Sequence, residues 1–106
     1  MKNRYWVYIL KCDNENYYTG YTTDIIRRYQ EHITGSIKCK YTRSFKPVGI
    51  AQCWQMNSEK SIAMKLERFI KKLSKIEKEQ LIKNPKLVEH LYECKVDKKM
   101  LKYSII

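Results

Sequence analysis

Residues 5–35 read YWVYILKCDNENYYTGYTTDIIRRYQEHITG, and this stretch decides the fold. The run 5–12 is aromatic and β-branched, Asp13, Asn14, Glu15 and Asn16 supply turn chemistry, and 17–22 repeats the strand character. The segment therefore reads as a β-hairpin. Thr23 or Asp24 then offers a side-chain oxygen to cap a helix in which Ile25, Ile26, Tyr29 and Ile33 recur at helical spacing, and Gly35 ends it. The opening order is strand, strand, helix.

Beyond Gly35 the pattern becomes irregular. In 36–47, Lys38, Lys40, Arg43 and Lys46 alternate with Tyr41 and Phe45 among small polar residues, which predicts an exposed basic loop. Residues 48–56 carry Val48, Ile50, Ala51, Cys53 and Trp54 without a charge, as expected of a third, largely buried strand. Ser58 opens a second helix with one apolar stripe of Ile62, Leu66, Phe69, Ile70 and Leu73. Ser74 and Glu77 have the spacing of a capping box, so a further helix is predicted from there to about Asn84, where Pro85 ends it. Leu87, Val88, Leu91 and Tyr92 suit one more helical segment, and 96–106 fits no template. The expectation is one α+β domain: a small, mainly antiparallel three-stranded sheet flanked by helices in the order β-β-α-β-α-α. Residues 1–84 form the domain and 85–106 a short extension packed on it.

The chain of 106 residues suits a single domain, and its 43% hydrophobic content, with nine tyrosines and two tryptophans, supplies a core. Twenty-two Lys and Arg against eleven Asp and Glu leave a net charge of +11, which attracts a dense polyanion and makes nucleic acid the expected partner. A solvated lysine surface that maintains solubility is the alternative reading. No apolar run approaches the roughly 18 residues of a spanning helix, and Met1 to Arg4 leads into strand-like sequence, so a cytoplasmic protein without membrane partners is expected. Cys12, Cys39, Cys53 and Cys94 lie far apart with no Cys-x-x-Cys pair. This argues against zinc and for free thiols in packing roles.

Several chemically capable residues fall at regular spacings. Arg28 and His32 lie four apart on one helix face, beside the stripe of Ile25, Tyr29 and Ile33. A similar wheel sets Glu67 at the edge of the second helix's stripe, near Ala63 and Ile70, where its carboxylate is able to face a cleft. Each residue also has a plainer reading. Tyr8 and Tyr18 suit cross-strand packing, Arg28 an ion pair with Asp24, Glu67 one with Lys71, and His32 a hydrogen-bonded packing position. Lys71, Lys72, Lys75 and Lys78 read as a solvated face. No recognition helix with its own turn motif is evident, which favours backbone or shape recognition over base readout.

Trp6-Val7-Tyr8 and Tyr18-Thr19-Gly20 on paired strands, then Gly20-Tyr21-Thr22-Thr23-Asp24-Ile25-Ile26-Arg27-Arg28 with His32, and later Ala63-Met64-Lys65-Leu66-Glu67, resemble the GIY-YIG nucleases. Trp6 and Thr19 stand where the family name has glycine and isoleucine. The resemblance covers about 4–84 and is greatest to the short stand-alone bacterial members of the UPF0213 kind. It implies the GIY-YIG fold and an Mg²⁺-dependent endonuclease that hydrolyses DNA phosphodiester bonds, with structure-selective action on branched, damaged or single-stranded DNA in repair or recombination as the finer expectation.

By that resemblance Glu67 holds one divalent ion, Mg²⁺, with waters and phosphate completing its oxygen shell. Arg28 clamps nonbridging phosphate oxygens. Tyr8 serves as base for the attacking water, a role that calls on a nearby cation because a phenol ionises only near about pH 10. Tyr18 and His32 position water or phosphate, with His32 a proton shuttle. Gly20 allows close approach of phosphate, and Lys38, Lys40, Arg43 and Lys46 contact the backbone while Tyr41 or Phe45 stacks on a base. The alternatives are a noncatalytic nucleic-acid-binding module with the same fold and a basic adaptor for an acidic protein.

Overall fold

A computed structural model describes residues 2–35, 42, 45–93 and 103–105. Strands β1 (Asn3–Cys12) and β2 (Tyr17–Thr22) form the expected hairpin around a turn in which Glu15 takes a positive φ of 67°. Helix α1 (Ile25–Thr34) starts at Asp24, whose carboxylate accepts from the Arg27 amide, and ends on Gly35 at φ 72°. The left-handed geometry there is one that a side chain resists. Strand β3 (Pro47–Ser58), helices α2 (Lys60–Lys71), α3 (Lys75–Lys83) and α4 (Leu87–Glu93), and the short β4 (Ser104–Ile105) complete the order.

The sheet is antiparallel throughout, in the order β2-β1-β3-β4. The α+β class is as expected, but the sheet has four strands, not three. Ser104 and Ile105 pair with Gln55 and Trp54 in a segment too short for any alternation to be read from sequence. The capping box of Ser74 and Glu77 is formed on both sides. The second helix starts one residue later than expected, at an N-cap Glu59 that makes no side-chain capping bond, because Ser58 is still paired in β3.

Alternation along β1 sends Val7 and Ile9 to one face and Tyr8 and Leu10 to the other. The first face packs with Trp54, Met56 and the apolar stripe of α2, together with Leu81 of α3 and Val88 of α4. The second packs with Cys53 and, from α1, with Ile25 and Tyr29. The segment 85–91 joins the same core: the Trp54 indole N–H donates to the Pro85 carbonyl at 3.2 Å, Val88 is fully buried, and Leu87 and Leu91 pack against it. Cys12 and Cys53 are buried free thiols, and burial pushes Cys53 up to about 12.

Two burial expectations need correction. The first half of β3 is open: Val48 is 63% exposed and Ile50 43%, since register shifts against β1 after Ile9 and Lys11 carry this end away from the core. On α1, Ile26 and Ile33 face outward, and the fully buried residue is His32. Among the described residues no helix is long and apolar enough to cross a membrane.

Candidate active site

Strand β2 is an edge of the sheet, and a cleft of about 450 Å³ opens beside it between α1 and α2. The hairpin register places Tyr8 directly opposite Gly20, and Tyr8, Tyr18 and Gly20 all line this cleft. Arg28 enters from α1 and Glu67 from α2. Four of the five expected site side chains, Tyr8, Tyr18, Arg28 and Glu67, therefore meet in one concavity although they come from four elements.

The fifth, His32, lies behind the cleft. Its ring is fully buried, with Nε2 2.9 Å from the Tyr8 hydroxyl and Nδ1 2.6 Å from the Thr42 hydroxyl. Burial pushes His32 down to about 4, with the Arg28 guanidinium adding to the shift and Glu31 opposing it. At neutral pH the ring therefore carries one N–H and one acceptor nitrogen, and Tyr8, His32 and Thr42 form a directional hydrogen-bonded row. The His32 ring also meets Tyr18 edge-on at 5.0 Å between centroids.

Gly20 has a definite steric reason. A Cβ at this position would stand 2.5 Å from the Tyr8 hydroxyl oxygen and 2.7 Å from its Cζ, so the missing side chain is the space that the tyrosine head occupies. Arg28 is held by Glu31, not Asp24, with Nη1 3.2 Å from Oε1 in a part-buried pair; Asp24 is engaged in capping. Glu67 has Lys71 at 3.9 Å, and the same ammonium lies 5.9 Å from the centre of the Tyr18 ring.

Among the described residues no cluster of three or more His, Cys, Asp or Glu side chains is arranged to hold a metal. Among the described residues, the carboxylates lining the cleft are Glu67 and Glu31, and Glu31 is committed to Arg28. A hard cation that takes one protein carboxylate and completes its shell with water and phosphate oxygens fits this donor set; a zinc-type cage does not.

The sequence profile of the GIY-YIG catalytic domain matches residues 4–80. The chain belongs to the GIY-YIG family. Its domain is 41% identical over 80 residues to the UPF0213 protein lin0209 of Listeria innocua, covering 76% of this chain and 87% of that protein. It is 44% identical over 81 residues to the UPF0213 protein of Syntrophus aciditrophicus, covering 76% and 92%. With the UPF0213 protein FN1575 of Fusobacterium nucleatum, 38% identity extends over 98 residues, 89% of this chain and 96% of that protein. The solution NMR structure of the UPF0213 protein BH0048 from Bacillus halodurans has 41% sequence identity and a TM-score of 0.49, covering 76% of this chain and 83% of that one.

Within this GIY-YIG domain, Lys38, Lys40, Arg43 and Tyr41 lie outside the described residues. Lys46 is exposed, stands away from the cleft lining and donates to the Ile33 carbonyl at 3.2 Å, at the C-terminal end of α1. Phe45 is exposed. Thr42, Glu31, Arg27, Lys60, Tyr5 and Tyr21 belong to the site or its walls and were missed by sequence reasoning. Only Glu31 left a readable signal, as an acid three residues after Arg28 on the same helix. Thr42 comes from a segment without periodicity, and Tyr5 and Tyr21 carry no mark beyond strand character.

Proposed function

We propose that this GIY-YIG domain is an endonuclease that hydrolyses DNA phosphodiester bonds with one Mg²⁺ ion held through Glu67, choosing its DNA by shape in repair or recombination. The observation that carries the reading is the convergence of Tyr8, Tyr18, Arg28 and Glu67 on one cleft, with neutral His32 touching Tyr8 from behind.

Arg28 receives the nonbridging oxygens of the scissile phosphate through its planar fork, and the negative charge that grows there strengthens this contact. Tyr8 takes a proton from the attacking water as its own hydroxyl proton passes to His32 Nε2 across 2.9 Å, with the Nδ1 proton held toward Thr42. Tyr18 lines the same cleft and orients the water or phosphate. An ion bound at Glu67 supplies charge neutralisation and help for the leaving oxygen. Lys71, whose ammonium is 3.9 Å from the Glu67 carboxylate and more than half exposed, is free to swing to solvent when an ion takes its place.

A noncatalytic nucleic-acid-binding module draws support from one feature: Arg28 and Glu67 each already have an intramolecular partner. Incubating the purified chain with labelled single-stranded, duplex and branched DNA, in Mg²⁺ or in chelator, separates the two. Metal-dependent cutting of any form supports the nuclease, and tight binding without cutting of all three supports the module.

A further inference from the structure

A second, smaller cavity of about 220 Å³ lies at the opposite end of β2 from Thr22, lined by Asn16, Tyr17, Lys75 and Lys78. Among the described residues neither lysine has a carboxylate partner, and the neighbouring Glu77 is engaged in the capping box with Ser74. Lys78 is partly buried and stands near enough to Lys71 that burial first, and then the Lys71 charge, lowers its affinity for a proton. Lys71 in turn reaches Glu67 at 3.9 Å and the Tyr18 ring at 5.9 Å. A line of ammonium groups thus leads from the active-site cleft along the sheet edge into this cavity. Lys75 and Lys78, gathered in one cavity with no carboxylate partner among the described residues, repel each other, and a bound polyanion relieves that repulsion.

We propose that the Asn16–Tyr17–Lys75–Lys78 cavity is a second phosphate subsite, holding the backbone of the same nucleic-acid strand whose scissile phosphate lies at Arg28 and Glu67. This rests on the nuclease reading for the position of the scissile phosphate. Tyr17 and Gly20 are three residues apart on one strand, so the backbone positions that mark the two sites are separated by about 10 Å at roughly 3.3 Å per residue. Because β2 is an edge, no further strand among the described residues covers this path. Lysines that sequence patterning assigns to a solvated face become part of the substrate track.

The experiment is a metal-free anisotropy titration of a fluorescein-labelled duplex oligonucleotide over a series of salt concentrations. It compares the full chain with Lys75→Gln/Lys78→Gln and with Lys83→Gln/Lys86→Gln, which removes the same charge around the other end of α3. Each lysine–phosphate contact contributes about 0.9 to the slope of log association constant against log salt. The first pair is expected to flatten the slope by about 1.8, and the control pair by less than half of that. Lys75→Gln alone, at an exposed position, is expected to give about half the effect and keeps the test independent of the partly buried Lys78. An unchanged slope, equal falls in both pairs, or no binding by the unsubstituted chain overturns the proposal. No turnover is required: a chain that binds through these lysines and never cuts sinks the nuclease reading alone, whereas one that cuts with unaltered slopes sinks only the second subsite.

Discussion

The Tyr8 hydroxyl and His32 Nε2 stand 2.9 Å apart, with both side chains removed from solvent. A buried polar pair of this kind costs stability when either partner is lost, and here it also links the cleft to a base that is not itself in the cleft. Tyr8→Phe deletes the proton relay and leaves His32 Nε2 without its acceptor role. Cleavage is expected to fall by at least about 100-fold, while stability falls by only about 1–3 kcal/mol. Cleavage rates and urea denaturation of the same preparation read the two effects; retention of full cleavage would exclude Tyr8 as the base.

The shift of His32 sets a pH window for stability. Its folded pKa, about 4, lies below the ordinary 6.5, so between these values the unfolded chain binds the proton and the folded chain does not. Stability from this group is complete above about pH 6.5, declines as pH falls toward about 4, and levels off below that, with a slope of up to about 1.4 kcal/mol per pH unit. Denaturant midpoints at a series of pH values should show this decline in the unsubstituted chain and a flatter profile in His32→Gln.

Thr42 orients the ring from the other side, at 2.6 Å from Nδ1. Thr42→Val leaves that nitrogen without its partner and is expected to cost about 1–3 kcal/mol, together with a cleavage loss that Thr42→Ser restores. Full cleavage by Thr42→Val, which keeps the methyl and lacks only the hydroxyl, would show that the hydroxyl does not position the ring.

Gly20→Ala sets a Cβ 2.5 Å from the Tyr8 oxygen, so the tyrosine head has to move off its hydrogen bond with His32 to admit the methyl. Overpacking of this kind costs typically about 1–3 kcal/mol. The thermal midpoint should fall and cleavage should drop with it; an alanine variant with unchanged midpoint and activity would mean that the Tyr8 ring swings freely.

Much of this architecture was legible in the sequence because local chemistry and tertiary demand agree. The turn at Asp13 to Asn16, the Asp24 cap, the Gly35 stop and the Ser74–Glu77 capping box all act within a few residues. Tyr8, Tyr18, Arg28 and Glu67 were legible as a set through the resemblance to the GIY-YIG motifs, and helix periodicity added only that Arg28 and Glu67 flank the apolar stripes of their helices. What escaped depends on contacts distant in sequence: β4 finds its partner some fifty residues upstream of it, the outward Ile26 and Ile33 give way to His32 because a buried hydrogen bond to Tyr8 anchors that face, and Thr42 meets His32 from an aperiodic segment. The exposure of Val48 and Ile50 follows from register shifts that composition does not encode.

The most direct test of the central claim is to measure cleavage and binding of the same labelled DNA by the unsubstituted chain and by Glu67→Ala, each with Mg²⁺ and with chelator. Metal-dependent cutting by the unsubstituted chain is expected, lost in Glu67→Ala while DNA is still bound. Full cutting by Glu67→Ala, or cutting by either protein that is indifferent to chelator, would contradict it.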